Sequence, residues 1–174
     1  MEPGLLVASP QMHDRNFEHA VVLLVSHSSE GALGVVISRE SQTRMGDIIE
    51  EMDARSPGFA NRHVLWGGPV EPGAGFVLWR GAGPEAWEFG DYALSPSQDR
   101  LTELVVSQAD FWLCVGYAGW GPGQLEREVT EGSWIHIVDG VAGVLEAQVS
   151  DRYDEAIRLL GVNPDLIWMS PVDE

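Results

Sequence analysis

The chain has 174 residues, with 27 Asp plus Glu against 10 Lys plus Arg, giving a formal net charge of −17. All ten basic residues are arginine, which excludes a Schiff-base lysine and a P-loop lysine. The acidity also argues against binding nucleic-acid phosphates or anionic membrane surfaces, while 44% apolar residues suffice for a full core in one domain, 1–174.

Leu5-Leu6-Val7-Ala8 opens the chain as a short apolar strand stopped by Ser9-Pro10. Residues 19–27 and 32–38 then read as a hairpin around a turn near Ser28 to Gly31. The second strand is apolar throughout, which predicts cover on both faces. Met45, Ile48, Ile49 and Met52 recur at helical spacing, predicting a helix over 43–52 that ends before Ser56-Pro57-Gly58. Val64 to Trp66 and Phe76 to Trp79 read as strands on either side of the turn-forming segment Gly67 to Gly73. Residues 87–94 can hold one more short strand. Trp79 and Trp87 flank the turn-rich segment 80–86, which leaves two readings for them, ordinary partial burial or exposure as interface anchors.

Ser95-Pro96-Ser97-Gln98 predicts a helix capped by Ser95, with Leu101, Leu104 and Val105 as its buried stripe. Phe111 to Tyr117 reads as a buried strand containing Cys114, the sole cysteine, and that setting makes it a core residue. One cysteine can form neither an internal disulfide nor a Cys-based zinc site. A glycine-rich turn, 116–123, leads into a helix from Gln124, with acids near its positive end. Residues 134–138 and 143–145 are strand-like. The final helix should be capped by Ser150, present Tyr153, Ala156, Ile157 and Leu160 on one face, and stop at Gly161. Strands arrive in runs, not in alternation with helices, so the expected class is α+β with a largely antiparallel, curled sheet and about four flanking helices.

Gly116-Tyr117-Ala118-Gly119-Trp120-Gly121-Pro122-Gly123-Gln124-Leu125-Glu126, with Glu128 and Trp134 beyond, resembles the signature of the bacterial YqgE/AlgH family. Three further segments resemble that family's motifs in order. They are Gly4 to Pro10 with Asp14 and Phe17, His27 with Gly31 to Ile37, and Gly67-Gly68-Pro69-Val70 with Phe76-Val77-Leu78. The resemblance implies a bifurcated sheet curled into a pseudo-barrel and a cytoplasmic bacterial protein of uncharacterised activity. Some members carry the label of transcriptional regulator, and the family implies no biochemical mechanism for it. The chain departs from the pattern at Ser38-Arg39-Glu40, where the family has Asn then Arg-Pro, and at Trp79, where it has His.

The candidate ligand-binding residues are Gly119, Trp120, Gly121, Gly123 and Gln124 of the signature turn, Gly67 and Gly68 of the second glycine turn, and Ser9 and His27. A strand, a run of glycines and a helix start have the general shape of an anion cradle. Equally, the glycines can serve backbone geometry and let Trp120 pack. The turn matches neither the dinucleotide fingerprint nor the P-loop. Ser9, His27 and Asp14 make a nucleophilic triad on paper, without the spacing of a known elbow. The five histidines have no metal-binding spacing, and neither cofactor nor metal is expected. No apolar run reaches the ~20 residues of a membrane span, and the start lacks a basic secretory region, so the cytoplasm is expected. The reading is a non-enzymatic binding or regulatory module contacting a protein or small ligand. The alternatives are a hydrolase or transferase near the 116–124 turn and an indirect regulator that does not itself grip DNA. The C-terminal third is the most acidic, so a cationic partner fits best there.

Overall fold

Alternate residues of the first strands enter two different cores, which explains why their sequences are apolar without a break. A computed structural model describes residues 1–12, 14–51, 63–107 and 109–161, with backbone only for 49–51. In strand β1 (Gly4–Ala8), Leu5 and Val7 face one core while Leu6 and Ala8 face another. Strand β2 (Val21–Ser28) repeats the division, with Val21 and Leu23 on one side and Val22 and Leu24 on the other.

The remaining strands are β3 (Gly31–Val36), β4 (Glu40–Arg44), β5 (His63–Trp66), β6 (Val70–Arg80), β7 (Trp87–Phe89), β8 (Tyr92–Ser95), β9 (Phe111–Trp120) and β10 (Trp134–Ile137). The helices are α1 (Met45–Glu51), α2 (Gln98–Val106), α3 (Gln124–Thr130), α4 (Val141–Glu146) and α5 (Arg152–Leu159). The main sheet runs β10-β1-β2-β3-β9-β6-β8-β7, and its two end strands do not pair. The α+β class and antiparallel sheet stand as expected. The sheet does not close into a barrel, and five α-helices appear among the described residues where about four were expected.

β9 is the branch point of the sheet. Ala118 to Trp120 pair with β3, Cys114 and Val115 pair with β5 in parallel, and β6 pairs along residues 111–117. The largest core lies inside the curl. Leu5, Leu23, Val35, Leu78 and Leu94 meet Val144, Leu145 and Ile157 of α4 and α5 there. α2 covers a second core on the outer face of β6, β8 and β9 through Leu101, Leu104 and Val105. α3, with Met12, Phe17 and Ala20, covers the third. Each fully buried Leu, Val or Phe contributes roughly 1.5–3 kcal/mol by leaving water.

Several local expectations shift. The first helix begins at Met45, because Thr43 and Arg44 belong to β4, which pairs with β5. Met52 and the 56–58 break lie outside the described residues. Ser97, not Ser95, caps α2, accepting from Arg100 N at 3.2 Å. Ser95 instead donates to Glu85 O at 3.0 Å. Residues 87–95 form two strands, not one. Residues 143–145 are helical, part of α4, since Gly140 in the left-handed region turns the chain into a helix there. Ser150 sits inside a 3-10 turn (Val149–Asp151) that leads into α5, and no side chain caps either. Trp79 is buried beneath Arg100, whose guanidinium carbon lies 5.1 Å from the ring centroid, while Trp87 is half-buried. Cys114 is a core residue as expected, and burial pushes its thiol up to about 12. Among the described residues no helix is long and apolar enough to cross a membrane.

Candidate functional site

The signature segment is mostly strand. Residues 116–120 belong to β9, and the true turn is confined to 121–123, before α3. Trp120 points inward and is 6% exposed, whereas Gly119, Gly121 and Gly123 are exposed. The indole N–H of Trp120 donates to Glu128 Oε1 at 3.0 Å, and the indole N–H of Trp134 donates to the same oxygen at 3.0 Å. The other carboxylate oxygen accepts from Gln124 Nε2 at 2.9 Å, and Gln124 Oε1 accepts from Gly121 N at 2.9 Å. One glutamate thus ties two buried indoles to the turn. Hydrogen bonds to a charged acceptor are roughly twice as strong as neutral ones. Phe17 closes the group, its ring 5.5 Å from Trp134 and 6.4 Å from Trp120. The Asp14 turn places it there, through Phe17 N donating to Asp14 O at 2.9 Å.

The second glycine turn meets β9 at the sheet's branch. Gly67 N donates to Val115 O at 2.7 Å, and Val36 N donates to Gly67 O at 2.8 Å. Gly116 has φ +80, a conformation that L side chains rarely adopt. A Cβ on Gly116 would collide with Gly68 O, and one on Gly68 would collide with the Tyr117 carbonyl. Backbone therefore crosses backbone at this fork, and the two glycine segments meet in direct contact. The side chain of Tyr117 reaches out to donate to Glu71 Oε2 at 2.7 Å, which raises its phenol pKa.

His27 lies on the same side as the turn. Its Nε2 is 3.1 Å from Glu126 Oε2, an electrostatic contact without hydrogen-bond alignment, and its Nδ1 meets the Met1 amino group. The Glu126 carboxyl is held below the usual range by its own backbone N–H at the start of α3 and by His27. Ser9 is placed elsewhere: its hydroxyl accepts from Gln11 N at 3.3 Å, and its backbone N–H donates to Ser133 O at 2.9 Å. Asp14 accepts from Asn16 N at 2.9 Å. Ser9, His27 and Asp14 thus each engage a different partner. The other described histidines are also separate. His63 meets Ser41 O at 2.9 Å, His136 meets Glu2 O at 2.8 Å, and His19 packs edge-on against Tyr153. His13 lies outside the described residues, and among those described no three His, Cys, Asp or Glu side chains gather as a metal set.

Sequence reasoning missed Arg152, which is fully buried. Its guanidinium donates to Ile37 O at 2.8 Å, Leu145 O at 2.8 Å and Ala147 O at 3.3 Å, and lies 4.7 Å from the Trp112 ring centroid. Desolvation lowers its pKa to about 10. The only available signal was an arginine one residue before the apolar face of the last helix, which normally marks a solvated position.

The AlgH-like family profile matches residues 5–165. A UPF0301 protein from Alcanivorax borkumensis is 37% identical over 173 residues, covering 94% of this chain and 90% of the relative. A UPF0301 protein from Myxococcus xanthus is 35% identical, covering 97% and 96%. Among solved structures, the AlgH protein from Pseudomonas aeruginosa superposes with a TM-score of 0.76 at 32% identity, covering 99% of this chain and 95% of that one. A Corynebacterium diphtheriae protein shares the fold with a TM-score of 0.73 at 20% identity, covering 96% and 92%. With the signature residues converging on Trp120 and the profile spanning nearly its whole length, the chain belongs to the AlgH-like, UPF0301 family.

Proposed function

We propose that this chain is a non-enzymatic binding or regulatory module of the bacterial cytoplasm, one domain over 1–174, that docks a protein or small ligand on the rim of the β9–α3 turn. One observation carries this reading. Gly119, Gly121 and Gly123 are exposed directly above the buried Trp120–Glu128–Trp134 group, so bare backbone is held on a rigid support. A preorganised backbone surface loses little entropy on binding. At its edge the Glu126 carboxylate, 45% exposed, stays ionised and suits a cationic group on the partner. The net charge of −17 favours such a partner and disfavours direct contact with DNA, so regulation would proceed through protein. A hydrolase or transferase reading is less well supported, because Ser9, His27 and Asp14 each have a separate partner.

The test combines a thermal-shift screen against nucleotides, organic acids and basic peptides with a pull-down from native lysate. Gly121→Ala and Glu126→Arg should abolish retention of the partner while melting within a few degrees of the wild type. A Cβ on Gly121 finds its nearest neighbour, Gln124 Oε1, at 3.9 Å, so the fold tolerates it. Retention unchanged in both variants, or no ligand or partner for the wild type, contradicts the proposal.

A further inference from the structure

The main sheet has two free ends, and a cavity of about 450 Å³ lies between them. Glu88 and Phe89 of the end strand β7 line one wall. Val138, Gly140 and Val141, which follow the other end strand β10, line another. β7 pairs with β8 alone, so its second edge has no strand partner among the described residues. Such edges invite pairing with another segment, and folded proteins ordinarily cover them. The cavity shares no residue with the β9–α3 turn.

Exposed apolar surface gathers at the same place. Four large apolar side chains are exposed among the described residues, Val70, Val106, Val138 and Leu159. Two of these four meet at the cavity. Val138 lines it and is 45% exposed. Leu159 is 41% exposed and lies so close to Gly140 that a Cβ there would strike its methyl groups. Phe89 and Val141 of the walls also belong to the main core, so the cavity is apolar at its base.

The chain itself leads to this spot. Leu159 is the last residue of α5, so the chain leaves that helix beside the cavity wall. Description stops at Gly161, and residues 162–174 follow. They contain the continuous apolar run Leu166-Ile167-Trp168-Met169, with Pro164 before it and Pro171 after it. Residues preceding proline favour extended backbone, which suits a strand. Five extended residues from Gly161 to Leu166 reach up to about 17 Å, more than the width of a cavity this size. Glu88, Asp91 and Asp139 border the cavity and repel Asp165, Asp173 and Glu174, so apolar side chains must carry any contact.

We infer that residues 165–169 dock in this cavity as an added strand on the free edge of β7. Their apolar side chains cover Val138 and Leu159 and seal the seam between the two ends of the sheet. The occupant belongs to the same chain, because α5 delivers it to the wall and makes the contact intramolecular. The strap removes an edge on which a second copy could otherwise add a strand.

Hydrogen exchange of the full chain, read by mass spectrometry, tests this. Amides of 166–168 should exchange at least ~10-fold more slowly than in a synthetic peptide of residues 162–174, and equally slowly at low and high protein concentration. Added salt should preserve or raise this protection, since it screens the repulsion between carboxylates. Val138 is exposed, so Val138→Asp keeps the fold and should return 166–168 to the peptide's rate. Trp168→Ala, changed from the other side of the contact, should speed exchange at residues 87–89. Peptide-like exchange of 166–168 in the wild type, or protection that survives Val138→Asp, overturns the inference. So does protection that grows with protein concentration, which would make the occupant a second copy.

Discussion

Replacing Arg152 with methionine is expected to lower the unfolding free energy by roughly 3–5 kcal/mol, measured by urea denaturation. Two effects compete. The substitution relieves the burial of a cation that has no carboxylate partner. It also strips donors from Ile37 O, Leu145 O and Ala147 O, which are backbone groups that cannot be substituted away. Each buried carbonyl left unsatisfied costs about 1–3 kcal/mol, so the second effect wins. The three carbonyls tie the end of β3 to the end of α4, so their loss frees the helices that fill the curl of the sheet. Arg152→Lys should recover little of the loss, because a single ammonium cannot fork to three acceptors as a guanidinium does. A methionine variant within ~1 kcal/mol of the wild type would show that Arg152 is a tolerated passenger.

The second large effect belongs to Gly116. Gly116→Ala should yield little soluble folded protein, or cost more than about 4 kcal/mol where it folds. The residue sits at φ +80, which disfavours a side chain by about 1–2 kcal/mol, and its Cβ would meet Gly68 O in the facing chain. Neither backbone can move without opening the branch where β3, β5 and β6 share β9. Gly121→Ala, measured beside it, should stay within about 0.5 kcal/mol. Equal melting temperatures for the two variants would mean that the crossing is not rigid.

These residues show which parts of the molecule were legible in the sequence. The β2–β3 hairpin, the Leu101–Leu104–Val105 stripe and the core position of Cys114 followed from periodicity and apolar runs. Local pattern failed where long-range pairing decides. Residues 116–120 look like a turn by glycine content, yet pairing with β3 and β6 holds them as strand. Residues 143–145 look like strand, yet Gly140 and packing against α5 make them helix. The reading of the glycines as serving backbone geometry applies to Gly67, Gly68 and Gly116 through close backbone approach and to Gly123 through its φ of +74, while Gly119 and Gly121 are open to solvent. Arg152 was illegible because its partners, Ile37 and Leu145, are 115 and 7 residues away and contribute only backbone oxygens. No side-chain pattern records such a contact.

The departures from the family pattern also find physical roles. The Ser38 hydroxyl accepts from Val21 N at 2.9 Å, and Arg39 braces the 16–18 segment. Trp79 fills the core beneath α2.

The central claim is that the signature's side chains form a clamp around Glu128 and leave the rim above it free to bind. A double-mutant cycle of Glu128→Ala and Trp134→Phe on unfolding free energy tests it most directly. The clamp predicts single losses of about 1–3 kcal/mol and a coupling of at least about 0.5–1 kcal/mol, since both changes remove the same hydrogen bond. Losses that simply add, or a Glu128→Ala variant as stable as the wild type, would contradict it.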